Sequence, residues 1–260
     1  MSNCYKNFPI IITYGDSSVD KIYSNSTSLS ENLNLETSLS LGIKGSSSVF
    51  NKEVPQGTIT VDSYLMSDID IFNKLKGSND QAMSIQFGPY LSPSPCMMTS
   101  MNLNIKVGEP ITVSRSFNYF GSITEVASPA PSSPELNPIT TENITLEGFD
   151  SIGDLKNINS IDWNFSQSYT EYHLLGDTVP TIIFNESQIM LGIGGEGLAG
   201  QLMTPGQSCV LPPSEYKISV FGCNNQNLGS LNVTGYIQER TSSVSSEEDE
   251  SNSVSIIQYL

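Results

Sequence analysis

The feature that most constrains this chain is an alternation of apolar and polar residues that occurs twice, once in each half, and in the same order. In the first half, Leu29, Leu33, Leu35, Leu39 and Leu41 lead to Gly42. In the second, Trp163, Phe165, Tyr169, His173 and Leu175 lead to Gly176, with Ser, Asn, Asp and Thr filling most of the positions between. Side chains two apart share one face of a strand, so each run predicts a strand with one buried and one wet face. After a loop, each run is followed by Val-Pro and a second apolar strand. These are Val54-Pro55 into Ile59, Val61 and Leu65-Met66, and Val179-Pro180 into Ile182, Ile183 and Met190-Leu191. Each half then closes on a hairpin. Leu103, Ile105 and Val107 turn at Gly108-Glu109 into Ile111, Val113, Phe117 and Tyr119. Ile218 and Val220 turn through Gly222 to Gly229 into Leu231, Val233 and Ile237. The pattern predicts a mainly β chain of two tandem antiparallel β-sandwich or split-barrel domains, with one short helix in the first.

That helix is expected over Ser67 to Gly77. Ser67 suits an N-cap, Asp68 and Asp70 the first turn, Lys74 and Lys76 the last, and Gly77 stops it. Ile71, Phe72 and Leu75 share one face, which would pack on the sheet. A short opening strand, Phe8 to Thr13, is followed by a polar connection, Asp16 to Asn25, and Pro89 to Pro95 reads as a proline-bearing loop. From Ser122 to Glu142 the composition shifts to Ala, Ser and Pro, with Pro129, Pro131, Pro134 and Pro138 in quick succession, which predicts an extended linker. The domain organisation is therefore a first β-domain over 1–121, a linker over 122–142, a second β-domain over 143–239 and an acidic Ser-rich tail over 240–260. Thr241 to Ser253 is too polar and acidic to build a core and is expected to be disordered. Val254 to Leu260 is apolar again and reads as a strand that docks on a neighbour.

At 260 residues each half is long enough to bury its own core. Lys and Arg total 11 against 27 Asp and Glu, a formal charge of −16. Glu247, Glu248, Asp249 and Glu250 account for four of those acids, so the body still carries 23 against 11, or −12. A body this acidic repels phosphate, which argues against gripping nucleic acid and leaves open standing beside it. Cys4, Cys96, Cys209 and Cys223 show no CxxC spacing, and His173 is the single histidine, so no zinc site is assembled. The cysteines read as reduced, mostly buried thiols of a protein made in a cytoplasm. No apolar run approaches the roughly 20 residues a membrane helix needs.

The motifs that suggest chemistry each have a plainer reading. Gly192-Ile-Gly194-Gly195-Glu-Gly197 matches G-x-G-x-x-G after an apolar strand, but no βαβ unit surrounds it, so it reads as a flexible glycine loop. His173, the only imidazole, falls in the strand alternation as a packed or edge residue, and no G-x-S-x-G elbow occurs. Asp68 and Asp70 suit the helix dipole better than an acid and base pair, and Asp16 and Asp20 lack the ligand density of a calcium loop. Five N-x-[ST] sequons, at Asn25, Asn143, Asn164, Asn185 and Asn232, are no more than chance gives in so Ser-, Thr- and Asn-rich a chain. No residue is assigned a catalytic, cofactor-binding or metal-ligating role, and an enzyme is not expected.

The order of features resembles the tail-tube proteins of tailed bacteriophages and the related tubes of contractile injection systems. The likeness is carried by Ser28-Leu29 to Gly42, Val54-Pro55 to Met66, Ser67 to Gly77 and Leu103 to Tyr119. In the second half it is carried by Ser160-Ile161 to Gly176, Val179 to Leu191 and Ile218 to Ile237. The resemblance implies a virion structural protein whose sheets join edge to edge in a ring, a hexamer or a pseudo-hexameric trimer. Rings stack into a tube with an acidic lumen through which DNA passes without specific binding, alongside other virion proteins and no membrane. The second half has no counterpart of the Ser67 helix, so it would complete the tube wall or decorate its outside. The alternatives are a capsid decoration, neck or adaptor protein, or a carbohydrate-binding β-sandwich adhesin. The adhesin would need exposed aromatics from among Trp163, Tyr169 and Tyr172, and the alternation buries Trp163 and Tyr169 with Phe165.

Overall fold

The structure is a computed structural model, and it describes residues 9–32, 35–38, 48–51, 54–66, 83–130, 138–174, 179–198, 213–222, 225–244 and 250–260. The expected helix over Ser67 to Gly77 lies outside the described residues, as do Cys4, Cys209 and Cys223.

The chain is mainly β, and its strands are antiparallel. In the first half, β1 (Ile10–Thr13), β2 (Val19–Ile22) and β3 (Ser24–Asn32) are followed by the short strands β4 (Leu35–Ser38) and β5 (Ser48–Asn51). Then come β6 (Gln56–Tyr64), β7 (Ser84–Phe87), β8 (Tyr90–Leu91), β9 (Cys96–Lys106), β10 (Thr112–Phe120) and β11 (Thr124–Glu125). The second half holds β12 (Ile144–Glu147), β13 (Ile158–Tyr172), β14 (Thr181–Gly195), β15 (Ser214–Phe221), β16 (Asn227–Val244) and β17 (Glu250–Tyr259).

Ten strands form one sheet in the order β12-β15-β16-β17-β14-β13-β9-β10-β6-β3. The two halves meet inside it: β9 pairs with β13 over seven residues, from Ser160 opposite Lys106 to Ser166 opposite Ser100. The order within each half is the same. In the first half it runs β3-β6-β10-β9, and in the second β13-β14-β16-β15 with β17 inserted between β14 and β16. The pattern strands thus stand in the same spatial order in both halves, but β6 pairs directly with β10 whereas β14 and β16 each pair with β17.

A five-stranded sheet, β11-β8-β7-β1-β2, contributes Ile10, Ile12, Ile22 and Ile85 to the core. The alternation supplies the rest: Ile59 and Val61 from β6, Leu103 and Ile105 from β9, and Val113 and Phe117 from β10. From the second half come Trp163 and Phe165, Ile189, Leu191 and Ile193, Ile218 and Val220, and Leu231 and Val233. These side chains form a single continuous cluster across both halves. Phe149, in a short 3-10 turn, packs edge-on against Tyr216 with ring centroids 5.4 Å apart.

Several expectations need correction. Of the strand expected from Leu29 to Gly42, residues 33–34 and 39–42 lie outside the described residues; Leu29 to Asn32 belong to β3, paired with β6, and among the described residues β4 pairs with β5 in a separate ribbon. Ser24 to Asn32 carries one apolar residue, Leu29, which is 38% exposed, so β3 is a polar edge strand. The polar connection Asp16 to Asn25 contains β2 and the start of β3.

The acidic tail is no tail where it is described. Thr241–Val244 extends β16, and β17 pairs it back in register, with Thr241 opposite Ser253 and Ser243 opposite Ser251. The side-chain hydroxyls of those two pairs lie 2.6 and 2.7 Å apart. β17 docks inside its own chain, between β14 and β16, because Asn252, Val254 and Ile256 alternate into the core. Near its middle β16 changes partner from β15 to β17, and at Gly235 a Cβ would run into the Ile257 carbonyl.

The G-x-G-x-x-G segment is not a flexible loop. Gly192, Gly194 and Gly195 are residues of β14, paired on both sides by β13 and β17. A Cβ on Gly195 would strike the Asn157 carbonyl, so close backbone approach explains the glycine there. The proline-rich segment is pinned at its ends. β11 pairs with β8, and Ile139 is buried, its N–H donating to the Leu65 carbonyl at 2.8 Å.

Candidate functional site

The residues between the apolar positions build the most distinctive surface of the chain. On the face of the ten-stranded sheet turned away from the core, cross-strand partners line up in rows. One row runs Ser26, Asp62, Ser114, Asn102, Asn164 and Met190 through β3, β6, β10, β9, β13 and β14. The next runs Ser28, Thr60, Ser116, Ser100, Ser166 and Gln188 through the same strands. Short hydroxyl and amide side chains two residues apart stay on one face and reach across about 5 Å to their neighbours, so they hydrogen-bond along the row. Ser26 Oγ donates to Asp62 Oδ2 at 2.7 Å, and the Thr60 and Ser116 hydroxyls are 3.4 Å apart.

The same chemistry closes the seam between the halves. Asn102 Nδ2 donates to Asn164 Oδ1, and Asn104 Nδ2 to Asp162 Oδ1, both across the β9–β13 junction. Further along, Thr58 Oγ1 donates to Asn118 Oδ1 at 3.0 Å, and Asn118 Nδ2 donates to the Tyr169 hydroxyl at 2.9 Å. Gln56 Nε2 reaches Glu171 Oε2 at 2.8 Å. A bulge between Gln167 and Tyr169 brings Tyr169 onto this polar face. There it lies edge-on to Phe120 with centroids 6.1 Å apart, and burial, the larger influence, raises its phenol above the ordinary value while the Asn118 bond opposes. Replacing Asn118 with Ala should remove the bridge between β10 and β13 and cost about 1 kcal/mol. A urea melt of the variant checks it.

The sheet face carries Asp62, Asp162 and Glu171, and Lys106 sits at its margin where β9 ends. A solute beside this face meets hydroxyls, amides and carboxylates.

The candidate residues of the sequence fall in several places. Trp163 is fully buried, stacked with Phe165 at 6.5 Å, while Tyr169 is half-buried and Tyr172 exposed. His173 lies just beyond the end of β13, exposed rather than packed, with Nε2 3.4 Å from Glu171 Oε2. Asp16 Oδ1 accepts from the Ser18 N–H at 2.9 Å and Asp20 Oδ2 from the Tyr14 hydroxyl at 2.7 Å, as turn and strand residues do. Asp68 and Asp70 lie outside the described residues. Among the described residues, no cluster of His, Cys, Asp and Glu is grouped to hold a metal ion. Cys96 is buried and unpaired, and burial, the largest influence, pushes its thiol up to about 12, which makes it unreactive at neutral pH.

Motif reasoning passes over Arg115. Its place between Val113 and Phe117 in the alternation is nonetheless the signal that puts it on the core side of β10. No family model matches the chain, and no curated protein matches it.

Proposed function

We propose that the protein is a virion structural protein of the tail-tube class, assembling edge to edge into rings that stack around a DNA-conducting channel. The observation that carries this reading is the repeated strand order with its internal seam. One half presents β9 to β13 of the other, and β13 stands in the second half where β3 stands in the first. A unit that joins its own copy within a chain suggests joining between chains too, although β15, the counterpart of β9, is covered by β12, so the join between chains would run from β12 to β3. Among the described residues β3 has no partner on its outer side, and at the opposite end of the sheet neither does β12. Such edges promote association unless they are blocked. In this reading each half is one sandwich or split-barrel unit, three chains give a pseudo-hexameric ring, and the polar acidic face lines the lumen. Hydroxyls, amides and carboxylates without a basic patch would let DNA slide without holding it.

An edge substitution tests the join. Leu29 lies on the free edge strand at a partly exposed position. Leu29→Lys puts a charge where the next chain would pair, at a position 38% exposed opposite Ile59. The expected result is a folded monomer with a cooperative melt and no assembly by sedimentation velocity. Assembly equal to that of the unaltered chain would contradict the edge-to-edge join. Single rings that never stack would favour a neck or adaptor role instead.

A further inference from the structure

Arg115 is buried, 4% exposed, on the core side of β10. Its Nη1 donates to Ser63 Oγ at 2.9 Å, and Ser63 Oγ in turn donates to the Val113 carbonyl at 3.5 Å. Its Nε has no partner, and no carboxylate forms an ion pair with it among the described residues. Burial is the main influence on the guanidinium and pulls it down to about 10, so it remains charged at neutral pH. A buried cation with no carboxylate within ion-pair distance is among the least favourable arrangements in a protein interior.

The guanidinium lines a cavity of about 220 Å3 together with Lys21, Tyr23, Ser63 and Tyr64. Val19 and Tyr64, 52% and 37% exposed, also border it, so the cavity reaches the surface. Asp20, with Oδ2 held by the Tyr14 hydroxyl, and Lys21 are both in its wall. With Nη1 committed to Ser63, the remaining edge of Arg115 offers Nε–H and the second terminal N–H, two parallel donors that match the two oxygens of a carboxylate. We propose that this cavity is a carboxylate-binding site, with Arg115 clamping the ligand through its Nε edge. The cavity carries one buried guanidinium, one lysine and one aspartate, a balance suited to a single negative charge. The carboxylate comes either from a small free acid or from an Asp or Glu side chain of another protein chain.

The test is a thermal melt of the full chain in sodium acetate and in sodium succinate, at ionic strength held constant with sodium chloride, alongside Arg115→Leu and Arg115→Lys. Sedimentation velocity is run on the same samples. A saturable rise in Tm of a few °C in the unaltered chain, absent in Arg115→Leu and at least halved in Arg115→Lys, supports a free-acid site. An unmoved Tm, with self-association weakened tenfold or more by both substitutions and by added acetate, supports a side chain of a neighbouring copy as the source. Equal responses in the unaltered chain and the variants, or no response in either measurement, overturn the proposal. Arg115→Lys keeps the charge and loses the bidentate edge, so it decides the matter even if Arg115→Leu does not fold. Acetate binding needs no ring, so a chain that never assembles still tests the cavity.

Discussion

Deleting residues 250–260 is expected to abolish cooperative folding. β17 is an interior strand, paired with β14 on one side and with β16 on the other. Its loss would strip Val254 and Ile256 from the core, at roughly 1.5–3 kcal/mol each. It would also expose the inner edges of β14 and β16, whose ladder groups would then be left to water or to intermolecular pairing. Against a total stability of about 5–15 kcal/mol, that combination leaves no folded state. Far-UV circular dichroism with a urea titration reads the result, and aggregation through the opened edges is expected to accompany it. A truncated chain that melts like the full one would show that the segment is a dispensable tail. Added in trans, a synthetic peptide of residues 250–260 should restore part of the signal by filling the vacated place in the sheet.

The second large effect is expected at Trp163. The indole is fully buried at the middle of β13, the strand through which the two halves join, and it stacks on Phe165. Trp163→Ala leaves a cavity in the continuous core and should cost about 3–5 kcal/mol, while Trp163→Phe, which keeps most of the buried ring, should cost much less. The midpoint of urea unfolding, followed by circular dichroism because the chain has one Trp, gives both values. Near-neutral behaviour of Trp163→Ala would mean that the ring is outside the core, as an aromatic binding platform would require.

Much of this architecture was legible because alternation is a direct record of which face meets the core. Ile59 and Val61, Leu103 and Ile105, Trp163 and Phe165, and Ile218 and Val220 were readable as inward residues for that reason. The β9–β10 turn was readable from Gly108, which sits at φ 80°. Other features were hidden by stronger local signals. The acidic run Glu247 to Glu250 hid that the strand read over Val254 to Leu260 begins at Glu250 and docks within its own chain, and the glycines of β14 imitated a loop although they serve close backbone packing. The seam between β9 and β13 was beyond reach for a different reason. Strands recognise each other through backbone groups, which every residue carries, and the Asn102–Asn164 and Asn104–Asp162 pairs become meaningful only once the register is known. The polar face was present in the sequence as the Ser, Thr and Asn between the apolar positions. Arg115 stood out only after its burial and the cavity beside it were in view.

The most direct test of the account is negative-stain electron microscopy of the purified chain over a range of concentrations. The tube reading predicts rings or stacked tubes whose wall, with ten strands from each of three chains lying roughly 4.8 Å apart and tilted about 40°, is about 60 Å across at the backbone. A particle that stays strictly monomeric at high concentration, with no ring in any field, would contradict it.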